Sequence, residues 1–305
     1  MKQHENLDEP SLAWTAEDDA FVRAAAAYLE HPSFLVQLAD LVGRPVEAAL
    51  GSLPRTAQRV IQRAVQGALG KGLEWVSHGL EPSEAPVFET LATAGSRARQ
   101  RGRRHNVAAA ATGAAGGFAG LAAMPIELPI STLILLRTIA ATAHEMGADL
   151  GDPAVRLECL SVLSLGGPTR RDDAAESGYL TARVGLAGAL REAARGLARS
   201  GAEDLARVAL DRTAPALVRF LALIAGRFEA VVTERAVAQV LPVVGAISGA
   251  AINTAFAHHF HRVALYHFGI RQLERLHGAE TVEARYRATL GPGPAPRRRE
   301  LVAAR

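Results

Sequence analysis

Apolar residues recur along this chain at intervals of three and four, with charged residues between them, and that period predicts helices throughout. The clearest case runs from about Pro54 to His78. There Val60, Ile61, Ala64, Val65, Ala68, Leu69, Leu73 and Val76 fall on one helical face. Thr15, followed by Ala16, Glu17 and Asp18, predicts a helix start with acids in the first turn, where the helix dipole favours them. That helix is expected to stop before His31-Pro32, because a proline biases its predecessor away from helical geometry. Further helices are expected over residues 88–100, 130–146, 153–166, 179–199, 214–241, 245–268 and 271–290. No alternating run of strand length stands out, so the predicted class is all-α, a compact multi-helix domain. The expected organisation is a flexible lead over residues 1–14, one helical domain over 15–290, and a disordered basic tail over 291–305.

Two stretches depart from this amphipathic pattern. Residues 107–126 and 236–257 carry no charge and are rich in glycine and alanine. At the helical rise each is long enough to cross the hydrocarbon core of a bilayer. Pro125 and Pro129 bracket Ile126-Glu127-Leu128 and predict a turn at the tip of a helical hairpin over 107–146. Gly113 and Gly117, Gly116 and Gly120, and Gly245 and Gly249 are each four apart, so each pair shares a helical face where two backbones approach closely. Two readings stay open: helix pairing in or at a membrane, and tight packing inside a soluble core. On either, the two stretches are expected to pack on each other through Gly116 and Gly249. Arg137, in the middle of the second arm of the hairpin, weighs against a true span, because an arginine at mid-bilayer is costly. A hairpin buried or half-inserted at the cytoplasmic face fits both facts.

Charge and composition narrow the partners. The 34 basic and 31 acidic side chains leave a formal net charge of only +3, too balanced for a nucleic-acid coat. Arg97–Arg104 lies just before the first uncharged stretch, where positive-inside placement and anionic lipid would put it. Aromatic interleaving of the kind that stacks on bases is absent from the basic runs, so no nucleic-acid partner is expected. Cys159 is the only cysteine, which excludes an internal disulfide and a cysteine-rich metal cage. The first residues have no apolar core of signal-peptide type, so export is not expected.

Several side chains are candidates for chemistry. Glu127, Arg137, Glu145 and Glu158 sit in or beside apolar helices. Arg137 is too far along the helix from Glu127 to pair with it, so its expected partner is Glu229 or Glu234, in an ion pair that fixes helix register. His258 and His261 are three apart on one predicted helix, and Glu127 or Glu145 would complete a metal site if the segments converged. No His-Glu-x-x-His pattern is present, and the expectation is no metal and no cofactor, with the histidines partly exposed. No serine lies in a Gly-x-Ser-x-Gly elbow. Gly113–Gly120 is followed by no Gly-Lys-Ser/Thr, which argues against a phosphate loop. Asn253, in an uncharged stretch, is expected to tie helices together.

The stretch from Ala111 to Leu150 (ATGAAGGFAGLAAMPIELPISTLILLRTIAATAHEMGADL), then RLECLSVLSLGG at 156–167, resembles the central signature of the EcsC family. Residues 227–275 resemble its second signature, and the resemblance spans roughly 15–278. The family's usual Asp-Leu-Pro is Glu127-Leu128-Pro129 here, which keeps the acid. The family is named after a gene beside an ABC-transporter operon and lends no catalytic residues to carry over. The resemblance implies a non-enzymatic accessory factor for transport or secretion, cytoplasmic and peripheral to the inner face of the membrane. Its implied partners are that surface or its anionic lipid, and a membrane transporter. The alternative is a hydrolase, metal-dependent or not, with its site at Glu127, Glu145 and His258/His261.

Overall fold

Thr15 opens the first helix with a reciprocal cap. Its hydroxyl accepts a hydrogen bond from the Asp18 backbone N–H at 3.2 Å, and the Asp18 carboxylate accepts one from the Thr15 N–H at 2.8 Å. This helix, α1, is Ala16–Leu29. A computed structural model of the chain describes residues 13–30, 53–78, 90–102, 123–165, 178–210, 215–240 and 249–290. The later helices are α2 (Arg55–His78), α3 (91–102), α4 (Met124–Glu145), α5 (Pro153–Leu165), α6 (Gly178–Leu210), α7 (Pro215–Val240), α8 (Gly249–His277) and α9 (Ala279–Thr289). Among the described residues there is no strand, and the fold is all-α.

Hydrogen bonds and close approaches to α4 fix the directions of its neighbours. α2 lies along it in the same sense. A Cβ on Gly67 would sit 3.9 Å from Pro129, and one on Gly72 would sit 2.9 Å from Leu136. α5 returns the other way, since Arg156 donates to the Ser77 carbonyl at the end of α2 and Leu160 lies beside Gly72. α8 follows α4 again, with Asn253 meeting Glu127 near the start and Arg275 meeting the Met146 carbonyl beyond the end. α1 runs antiparallel along α8: Tyr28 lies at His259, Phe21 at Tyr266 and Trp14 at His277. α6 and α7 pack on each other and cover α5 and α2. Between α7 and α8 the core holds Phe228, Phe256 and Phe260, with edge-to-face ring pairs at 5.1 and 5.8 Å.

Several sequence expectations are corrected here. Pro125 and Pro129 do not form a turn. Pro125 occupies the first turn of α4, where a missing N–H costs nothing, and Pro129 is carried inside the helix one turn later. α7 ends at Val240 and α8 begins at Gly249, close to the expected bounds at 241 and 245, and residues 241–248 lie outside the described residues. α6 continues past residue 199 to Leu210. The break expected near residue 269 falls instead at Gly278, whose φ of +83° is costly for other residues. Gly269 stays helical for a different reason: a Cβ there would overlap the Phe21 ring, so the glycine lets α1 lie directly on α8. Arg137 is exposed, so the expected buried pair with Glu229 or Glu234 is not formed. Gly113, Gly116, Gly117, Gly120 and Gly245 lie outside the described residues, as do residues 1–12 and 291–305, and with them the proposed contact between the glycine-rich stretches. Gly249 opens α8.

Candidate functional site

Among the described residues three buried polar clusters stand out, centred on Glu127, Glu145 and Glu158. The first is at the start of α4. Glu127 lies on the inward face of the first turns and pairs with Arg235 of α7, a guanidinium only 1% exposed. Asn253 of α8 donates its amide to the same carboxylate oxygen at 3.1 Å, and Arg235 also reaches the Ser131 hydroxyl at 3.5 Å. Arg235 lies over the Phe256 ring, 4.9 Å from its centre. Burial lowers the Arg235 pKa and the Glu127 carboxylate pulls it back up, and a guanidinium in that setting keeps its charge. The cluster ties three helices at one point. The Arg235 Nε and the Asn253 Oδ1 have no hydrogen-bond partner in it.

The second cluster is at the other end of α4. Glu145 is buried and is held by two arginines of α3, Arg97 and Arg101, each with Nε 2.9 Å from a carboxylate oxygen. Gly102 brings α3 close to α8, since a Cβ there would lie 2.7 Å from the His261 ring. His261 is itself 3.3 Å from the Thr142 hydroxyl. Two arginines of the run expected to face lipid headgroups are thus turned onto an internal acid, while Arg103 and Arg104 lie outside the described residues.

The third cluster is a chain of hydrogen bonds through α5, α6 and α8. The Tyr179 hydroxyl meets His267 Nδ1 at 2.9 Å, and His267 Nε2 meets Glu158 at 3.1 Å. Arg271 pairs with Glu158 at 2.8 Å and with Glu274 at 2.7 Å, and Arg183 grips Glu274 with both terminal nitrogens at 2.8 and 2.9 Å. Burial alone would raise the Glu158 carboxyl. The hydrogen bond from His267 and the positive charges of Arg271 and Arg183 outweigh it and hold the group at about 2. Burial lowers the His267 pKa against the pull of Glu158, so the ring is held neutral, with Nε2–H donating to Glu158 and Nδ1 accepting from Tyr179. Burial also pushes the Tyr179 hydroxyl and the Cys159 thiol well above their ordinary values.

The residues proposed for a hydrolytic site are not brought together. Glu127 and Glu145 lie on one helix, about 27 Å apart at the helical rise. His258 is exposed, whereas His259 and His261 are buried, which corrects the expectation of partly exposed histidines sharing a face. His259 instead meets the Tyr28 hydroxyl at 3.0 Å. Among the described residues no three His, Cys, Asp or Glu side chains converge as a metal would require. A shallow depression lined by Gly226, Glu229, Ala230, Thr233 and Glu234 belongs to α7 alone and reaches none of the three glutamates at the cluster centres. The sequence reading brought out Glu127, Asn253, Glu145 and Glu158. It missed Arg235 and Tyr179; Arg235, the one cation between residues 228 and 240, gave a usable signal.

The ordered signatures round Glu127 and Arg235 have a counterpart among known proteins. The sequence model of the EcsC protein family matches residues 26–273. The chain belongs to the EcsC protein family. No curated protein and no solved structure matches it. The span matched in this EcsC protein contains all three glutamates with their arginine, histidine and asparagine partners, apart from Glu274 at its edge. It excludes α9, which binds the bundle through Tyr286 and Arg285.

Proposed function

We propose that this EcsC protein is a non-enzymatic accessory factor for transport or secretion that works from the cytoplasmic face of the membrane as a peripheral protein. One observation carries the reading. Ile126 and Ile130, one turn apart at the start of α4, are 73% and 49% exposed. They continue the uncharged stretch 107–126 and begin the one described helix long and apolar enough to cross a bilayer. Most of that helix is buried against its neighbours, and Arg137 faces out from its middle, so a peripheral attachment suits it better than a span. The inward acids support a scaffold rather than a reaction centre, since each is matched by cations from other helices. Cell fractionation tests the reading. The protein is expected partly in the membrane pellet and released by high salt or alkaline carbonate. Full retention after carbonate would mean that it spans the bilayer, and absence from the pellet would end the membrane reading.

A further inference from the structure

Resting on that peripheral reading, we infer that the membrane-facing surface is built by the start of α2 and the start of α4, and that its ligand is an anionic lipid bilayer. Arg55, Arg59 and Arg63 recur every four residues on α2 and are all exposed, so they form one basic stripe. The helix carries no acid before Glu74, which is already paired with Lys71 at 2.9 Å. No described residue forms an ion pair with any of the three. Arg55 and Arg59 also stand at the positive end of the helix dipole, where acids are normally favoured, so the local potential is more positive than the side chains alone would make it.

The register of α2 on α4 brings the Arg63 end of this stripe level with exposed apolar residues. Gly67 lies against Pro129, and the two helices run in the same sense. Arg63, one turn before Gly67, therefore comes level with the first turns of α4, which carry Ile126 and Ile130. A cationic stripe that ends level with exposed isoleucines matches a bilayer interface, where phosphates meet the guanidinium groups and the apolar side chains enter the headgroup boundary. Arg97 and Arg101 do not contribute, because they hold Glu145 at the far end of α4.

Co-sedimentation with vesicles tests this surface. The full chain is expected to bind vesicles of phosphatidylglycerol and phosphatidylcholine, less at high salt, and to bind pure phosphatidylcholine weakly. An Arg59→Gln, Arg63→Gln variant should lose roughly tenfold or more of its affinity for the anionic vesicles. A charge-matched variant on another exposed surface, Arg191→Gln with Arg195→Gln on α6, should keep it. All four positions are exposed, so unchanged melting confirms that both variants fold. If the full chain binds no vesicles, the peripheral reading itself fails. If it binds and the two variants behave alike, that reading survives and the assigned surface is wrong. Loss of oligonucleotide binding in the α2 variant, with vesicle binding untouched, would also overturn the assignment.

Discussion

The two ends of α4 each bury a glutamate, and they neutralise it in different ways. At the first end Glu127 faces a single guanidinium, that of Arg235, sealed from water and stacked on Phe256. At the second end Glu145 faces two guanidinium groups, those of Arg97 and Arg101, which remain 34% and 56% exposed. The charge on the acid is the same, but the solvation of its partners is not. A sealed pair has no alternative partner if one member is lost, whereas a wet pair can hand its charge to water or to the second arginine. The first end is thus a rigid joint between α4, α7 and α8, and the second is a clamp holding α3 down on α4.

The comparison is most exposed to failure at Arg235. Arg235→Leu would leave the Glu127 carboxylate buried with only the Asn253 amide beside it. Breaking a buried pair from one side costs about 3–5 kcal/mol. Thermal unfolding should therefore drop on the order of 10 °C for a chain of this size. A Glu127→Leu, Arg235→Leu double variant should recover much of that loss, because no orphan charge remains. A single variant that melts like the parent would mean the joint is not load-carrying, and the contrast between the two ends would disappear.

The third glutamate sharpens the comparison through pH. Glu158 is held at about 2 against an ordinary 4.5, and the shift makes the native state favour the ionised form. Its contribution is present above the unfolded value and is lost as pH falls from about 4.5 towards 2, since the unfolded chain binds the proton first. The His267 pKa is lowered too, so its contribution also shrinks as pH drops below 6.5. The Glu158 shift alone corresponds to about 3 kcal/mol between neutral and strongly acidic pH, and His267 acts in the same direction. Melting temperature followed from pH 7 downwards should show this slope, and Glu158→Gln should start lower and lose most of it. An equal slope in the variant would assign the acid sensitivity to other carboxylates.

How much of this could be read from the sequence differs between the two ends for the same physical reason. Helix positions followed from periodicity, because burying one apolar face every 3.6 residues is a local demand. Glu127 and Glu145 stood out as charges in apolar helices, and Asn253 as an amide that needed a partner. Their partners did not, because pairing depends on which helices meet. Arg137 looked like the buried cation because it sits among Ile, Leu and Thr, yet the outward turn of α4 exposes it. Glu229 and Glu234 drew attention to the right helix, but the partner was their neighbour Arg235, with the acid supplied by α4. The proline pair was misread because a proline early in a helix leaves little unsatisfied, so it does not force a turn.

The smallest effect should come from the wet clamp. Arg101 is more than half exposed, and its loss leaves Arg97 still bound to the same carboxylate. Arg101→Gln should then cost about 1 kcal/mol or less, the range of a solvent-screened pair. Arg97→Gln should cost somewhat more, because Arg97 is the more buried of the two. Removing both is a different case. Glu145 would be a buried carboxylate with neither cation, so the double variant should lose clearly more than the two single losses added together. Chemical denaturation of the four proteins reads this directly as a coupling energy. Simple additivity would mean that each arginine interacts mainly with water, and that Gly102 packed against His261, rather than the ion pairs, holds α3 in place.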